Sequence, residues 1–198
     1  MSSVLVRGFI FGFAIAASPG PVFFLCLRRS LVQGRLVGLS SGLGVATVDG
    51  FYAAVATLGI AGLLTAVVAA RQPVAIVGGV LLAAIGVSLM LQQPRAGEAA
   101  APTRRGLAWA YLSTVGLTLA NPATILSFVA LAASLGRSMP QLIVIGVLLG
   151  SAAWWTLVAF GASWLRPRLG QGALRGISVA SGFVIVVLGG VAVYTAFA

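Results

Sequence analysis

Between Arg35 and Arg71 the chain runs for 35 residues, 36–70, with a single charged side chain, Asp49. A spanning helix needs about 20 apolar residues, and soluble core elements do not absorb a run this long. The segment therefore reads as membrane-spanning, and Asp49 becomes a carboxylate inside a bilayer. An ionised Asp at the centre of a spanning helix costs roughly 2.5–3.5 kcal/mol on insertion scales. So costly a group is a functional candidate by default, because something must offset its desolvation.

The rest of the chain repeats the pattern. Of its 198 residues, 60% are hydrophobic and 7% charged, and the mean hydropathy is +1.13. Apolar segments at about 4–27, 36–64, 73–92, 107–133, 140–165 and 176–197 predict six transmembrane helices in one domain over residues 1–198. The polar stretch 93–106 (QPRAGEAAAPTRRG) is a linker that separates two three-helix halves, 1–92 and 107–198. Three helices per half make the halves insert with opposite orientation, the requirement for inverted repeats. An offset of 102 residues sets Gly34, Gly44 and Gly59 over Gly136, Gly146 and Gly161, Leu63 over Leu165, and Tyr52 over Trp154. It also sets Pro19-Gly20-Pro21 over Asn121-Pro122-Ala123. The expected fold is an all-α integral membrane protein: six transmembrane helices as two inverted-topology three-helix repeats, with broken first and fourth helices.

The net charge is +10, carried by 12 arginines that never form a block of five. That spacing argues against nucleic acid and reads as topology signals facing anionic headgroups. Nine arginines fall on the side of the central linker. Arg7, Arg71 and Arg137 fall on the other. The bias predicts a multi-pass membrane protein with the linker on the cytoplasmic side and both termini outside. The first segment imitates a signal peptide, with Ala14 and Ala16 as an A-x-A, but its apolar run continues through Leu27 and ends in Arg28 and Arg29. It reads as a retained helix.

Composition removes most chemistry. The chain has no His, one cysteine (Cys26) and two acids (Asp49 and Glu98). No disulfide within the chain, metal-ligand set, acid–base pair or Ser-His or Cys-His arrangement can be built from these. No enzyme activity, cofactor or metal is expected. A thiol electron carrier of six helices needs a cysteine pair, and the position matching Cys26 at the 102 offset is Phe128.

Three constellations remain. Ser18-Pro19-Gly20-Pro21 removes backbone donors inside an apolar run and breaks the helix. In lipid such a break is tolerated where it is buried in protein or lines a cavity, and half-helix ends bind the charged groups of small substrates. Asn121-Pro122 is the corresponding break in the fourth segment, with Ser113, Thr114, Thr118 and Thr124 nearby, hydroxyls that bond back to their own helix or to a neighbour as a rule. Asp49 shares a helical face with Gly42, Val45, Ala46, Tyr52, Ala53 and Ala56, a small-residue face that belongs against other helices or a cavity. Desolvation penalises its charged form, which makes it a candidate proton carrier. Tyr52, Trp154 and Trp155 are candidate lining residues, Tyr52 and Trp154 foremost, though aromatics also sit against lipid or in bundle cores. Gly8-x3-Gly12, Gly38-x3-Gly42 and Gly146-x3-Gly150 permit close helix contact, and a homodimer interface is one use for such stripes.

Together these residues resemble the lysine-exporter type (LysE/RhtB) family of small bacterial amino-acid exporters. The resemblance rests on Gly8-x3-Gly12-x5-Ser18-Pro19-Gly20-Pro21, on the Gly38/Gly42/Gly44 stretch leading to Asp49, and on Asn121-Pro122. Two positions depart from the family pattern: Val48 stands where a Gly usually precedes the Asp, and Ala123 where a Lys often follows Asn-Pro. The resemblance implies export of amino acids or related metabolites, driven by a proton or other ion gradient. With a single intramembrane acid, a neutral or apolar amino acid suits the chain better than a dicationic one. In the expected site Pro19, Gly20, Pro21, Asn121 and Pro122 present half-helix ends to substrate, and Asp49 carries a proton or holds an ammonium. The competing expectation is a non-transporting membrane scaffold or assembly protein, which has no need of a carboxylate at mid-membrane.

Overall fold

A computed structural model describes residues 2–58, 69–94, 101–121, 124–128, 130 and 139–197. Among these residues the chain is helical and contains no strand. In chain order the helices are α1 (Ser2–Ala16), α2 (Pro21–Gln33), α3 (Arg35–Leu58), α4 (Arg71–Leu91), α5 (Arg104–Leu119), α6 (Pro140–Leu165) and α7 (Gln171–Thr195). A 3-10 turn, Arg166–Arg168, follows α6. Four stretches are long and apolar enough to cross a membrane alone: Arg35–Thr57, Gln72–Leu91, Pro140–Arg168 and Gln171–Thr195. The pair α1 and α2 makes a fifth if it is one broken span, its halves bent by 80°.

The bend has a local cause. Ala17 and Ser18 close the last turn of α1 on the carbonyls of Phe13 and Ile15. Pro19 and Pro21 have no N–H to continue the ladder, and Gly20 is extended (φ −128°, ψ 178°). Pro21 then opens α2 at its first position, where its missing donor costs nothing. The second break lies beyond α5, whose 16 residues give about 24 Å at 1.5 Å per residue, less than the ~30 Å of a bilayer core. The helix ends in a turn at Ala120 and Asn121, and helical backbone resumes over 124–128. Pro122 lies outside the described residues.

Small residues decide which helices approach. Gly8 and Gly12 of α1 lie against Ile143, Gly146 and Val147 of α6, in parallel. Gly146 and Gly150 lie in turn against the backbone of Phe9. Helix α5 runs parallel to α3, where Gly44 meets Tyr111 and Thr114, and Ser40 Oγ donates to the Leu107 carbonyl. Helices α3 and α6 cross antiparallel at the centre, with Gly42 on Trp155 and Gly50 on Leu148. Helices α4 and α7 pack antiparallel through Gly79 on Gly189 and Gly86 on Gly182. Large apolar side chains such as Ile10, Leu81, Leu126 and Phe183 remain exposed around the outside, as lipid contact requires.

The structure departs from expectation at three arginines. Arg28, Arg29 and Arg166, read as headgroup contacts, are buried in protein, Arg28 completely. Arg166 Nη1 donates to the carbonyls of Leu31 and Val32, satisfying the last turn of α2 at the negative end of its dipole. A guanidinium at the end of an apolar run looks the same in sequence whether it turns outward to lipid or inward to a helix end.

Candidate functional site

Asp49 sits on the inner face of α3, 1% exposed, where α3 crosses α6. Its Oδ2 accepts a hydrogen bond of 2.7 Å from Ser151 Oγ, itself fully buried on α6. A small cavity of about 50 Å³ opens beside the carboxylate. The first break reaches it through Ser18, Gly20, Val22 and Phe23, and the second through Thr118, Asn121 and Thr124. Trp155 and Val45 complete the wall next to Asp49. The two interruptions of the helix ladder and the one described acid thus meet in a single space.

The polarity of that space is directional. Helix α2 begins at the cavity, so the positive end of its dipole faces in. Helix α5 ends there, and Thr118 and Asn121 line the wall at its negative end, close to Asp49. Two buried polar atoms on the wall, Thr118 Oγ1 and Trp155 Nε1, have no hydrogen-bond partner among the described residues. Buried donors without partners are uncommon, and here both border an opening. A Cβ on Gly20 would meet nothing within 4 Å, so the backbone at the break has open space beside it.

Several expected site residues lie elsewhere. Tyr52 is in the core one turn beyond Asp49; its hydroxyl donates to the Leu119 carbonyl at 2.9 Å and its ring packs on Phe128. It gives a partner to one of the last carbonyls of α5. Trp154 stands one layer back, edge-on to Phe13 and stacked on Phe23, which lines the cavity. Pro19 and Pro21 shape the break without lining the space. Trp155, named with Trp154 as a lining candidate, and Ser18 of the first break do reach the space, whereas Ser151 and Phe23 were not singled out in sequence. Trp154 and Trp155 follow Ser151 by three and four residues, so helical spacing does not choose between them. Ser151 did leave a signal: the 102-residue offset that aligns the halves sets Asp49 over Ser151.

Removing the Ser151 hydroxyl leaves Asp49 Oδ2 without its buried donor, a loss of about 1–3 kcal/mol for such a group. Ser151→Ala should lower the melting temperature of the purified protein by several degrees, and Ser151→Thr should restore most of it.

A bundle of apolar helices with a bent first pair and a buried polar cavity fits a membrane transport protein in general class. The chain belongs to the LysE type translocator family, whose model it matches over residues 13–196. It is similar to the uncharacterized membrane protein YahN of Escherichia coli (strain K12), 27% identical over 168 residues, which cover 81% of this chain and 75% of that protein. It is also similar to the chemotactic transduction protein ChpE of Pseudomonas aeruginosa, 28% identical over 177 residues, covering 84% and 85%. No solved structure matches the chain.

Proposed function

We propose that the protein is a secondary-active exporter of neutral amino acids or closely related metabolites across the bacterial inner membrane, driven by the proton gradient. The observation that carries this reading is the convergence of both helix breaks on Asp49 in one cavity. The start of α2 offers a positive end to a carboxylate, while Asp49 and the end of α5 offer negative charge to an ammonium, the charge pattern of a zwitterion. Proton and ammonium compete for one carboxylate, which couples their movements without a second acid. At about 50 Å³ the cavity holds a few waters and is well below the about 300–1,000 Å³ of ligand pockets, so transport requires the site to widen.

The contact pattern supports two inverted repeats. Gly146 lies on Phe9 as Gly44 lies on Tyr111, the two contacts related by the 102-residue offset. Asp49 and Ser151 are each other's equivalents and touch, as residues beside a pseudo-two-fold axis do. The α4–α7 contacts Gly79–Gly189 and Gly86–Gly182 interchange at an offset of 103. The parallel pairs α1–α6 and α3–α5 then map on each other, and the antiparallel pairs α3–α6 and α4–α7 on themselves. Such symmetry gives two equivalent arrangements of the halves around a central site, the basis of alternating access. Arginine placement supports a cytoplasmic linker and periplasmic termini.

The test is export from inside-loaded proteoliposomes across a panel of amino acids, with and without an imposed proton gradient. Gradient-dependent efflux of at least one neutral amino acid is expected; none across the panel would sink the reading. The name of ChpE favours a second reading, an assembly partner in chemotactic transduction that transports nothing. That reading predicts no stabilisation of the purified protein by any amino acid.

A further inference from the structure

A second and larger opening, about 240 Å³, lies between α2, α4 and α5. Arg29 of α2 lines it, 7% exposed. The guanidinium is held in place by three hydrogen bonds: Nη1 to Ser41 Oγ and the Ala110 carbonyl, both at 3.1 Å, and Nη2 to Ser113 Oγ at 2.9 Å. Every acceptor is neutral. Arg28, the next residue, is 0% exposed. Its Nε donates to Ser178 Oγ at 3.2 Å and its Nη2 to Gln92 Oε1 at 2.9 Å, again neutral groups, and its Nη1 is buried with no partner among the described residues. Gln92 lines the opening as well, and its carbonyl accepts from Arg175 Nη1.

Two adjacent guanidinium groups are therefore buried without an ion pair among the described residues. Long arginine stems near a helix end can carry their charge out to the interface, and these do not. Burying a charge with no counter-charge is unfavourable, and neutral acceptors offset it in part. The C-terminal end of α2 contributes about half a negative charge against two positive ones. Such a pair, held by neutral acceptors among the described residues, attracts an anion. The planar fork of Arg matches the two oxygens of a carboxylate or phosphate. The remaining walls suit the rest of such a molecule: Leu25, Ile85, Leu89 and Trp109 are apolar, and Ser88 and Gln33 are polar.

We propose that this crevice is an oxyanion-binding site in which Arg29, backed by Arg28, receives the carboxylate or phosphate group of a small amphiphilic molecule. It is separate from the cavity at Asp49. Ser41, which accepts from Arg29, precedes Asp49 by eight residues on α3, about 12 Å along the helix axis. Carboxylate and phosphate share the chemistry and differ in source, an amino acid entering from the aqueous side or the headgroup of an anionic lipid. The site rests on its own geometry, so a protein that failed to export would still be expected to bind there.

The full-length protein, delipidated in neutral detergent, is titrated with five probes: phosphatidylglycerol against phosphatidylcholine, inorganic phosphate, and leucine against its decarboxylated amine. Binding is read by native mass spectrometry and by the rise in melting temperature. Wild type is expected to bind phosphatidylglycerol in preference to phosphatidylcholine, or leucine in preference to the amine, or phosphate itself. The preferred probe identifies the source. Arg29→Gln should weaken that binding about tenfold or more, the effect of losing a charge-assisted pair. Because Arg29 also joins α2 to α3 and α5, a second variant leaves both arginines in place. Ser88→Phe, on an exposed position of the crevice wall, should block binding while the ligand-free melting temperature stays within a few degrees. Absence of binding by any probe, or equal binding by wild type and both variants, would overturn the site. If Arg29→Gln does not fold, Ser88→Phe decides alone.

Discussion

Asp49→Asn should abolish proton-driven export while the protein stays folded. The amide is nearly isosteric with the carboxylate and keeps an oxygen to accept from Ser151 Oγ, so the bond between α3 and α6 survives. The desolvation cost of a buried charge disappears with the substitution, and the melting temperature should be unchanged or higher. Function moves the other way. A hydrogen bond to a charged group contributes about 1.5–3 kcal/mol, so an ammonium held by Asp49 loses about 10- to 150-fold in affinity. The amide also carries no exchangeable charge, so the gradient loses its point of attachment. Two readouts separate the roles. If Asp49 only carries the proton, ligand-induced stabilisation survives and gradient-driven efflux is lost. If it also grips the ammonium, both are lost. Full proton-driven export by Asp49→Asn would show that coupling resides elsewhere.

The second large effect is structural. Gly12→Leu should cost more than the ~1–3 kcal/mol usual for overpacking, because a Cβ at Gly12 would run into the carbonyl oxygen, Cα and carbonyl carbon of Val147. Those are backbone atoms of α6, and no rotamer change can move them. Helix α1 would have to lift off α6, taking with it the break that leads into the cavity. Gly161→Ala provides the contrast. Nothing lies within 4 Å of a Cβ there, and Ala is the better helix former by about 1 kcal/mol. It should raise the melting temperature slightly or leave it unchanged. Opposite signs for these two substitutions, measured by thermal melting in detergent, would establish that α1 and α6 are held by backbone approach; equal tolerance of both would refute it.

Much of the architecture was legible because its causes are local. Apolar runs, the missing donors of Pro19 and Pro21, and the cost of Asp49 in lipid act over a few residues, so hydropathy and motif find them. The glycine stripes at Gly8–Gly12 and Gly146–Gly150 were legible as close-contact surfaces; that they meet each other was not. Two of the six expected spans are harder to read in the structure, since α1 and α2 form a bent pair and α5 stops short of a bilayer's width.

Burial direction was the main thing hidden. Arg28 and Arg29 end an apolar run, which in sequence is the mark of a topology signal. In the fold they turn inward, because Ser41, Ala110, Ser113 and Ser178 from three other helices, and Gln92 at the end of α4, converge on them. The same holds for Trp155, which reaches the cavity while its neighbour Trp154 packs behind Phe23. Composition and order alone settled that this is a helical membrane protein with interrupted spans and one costly acid, since hydrophobic transfer and backbone satisfaction are properties of each segment. The tertiary structure decided that the acid meets Ser151, that both breaks share its cavity, and that two arginines lie buried without a counter-charge among the described residues. Those outcomes depend on which faces of separate helices come together, and only packing sets that.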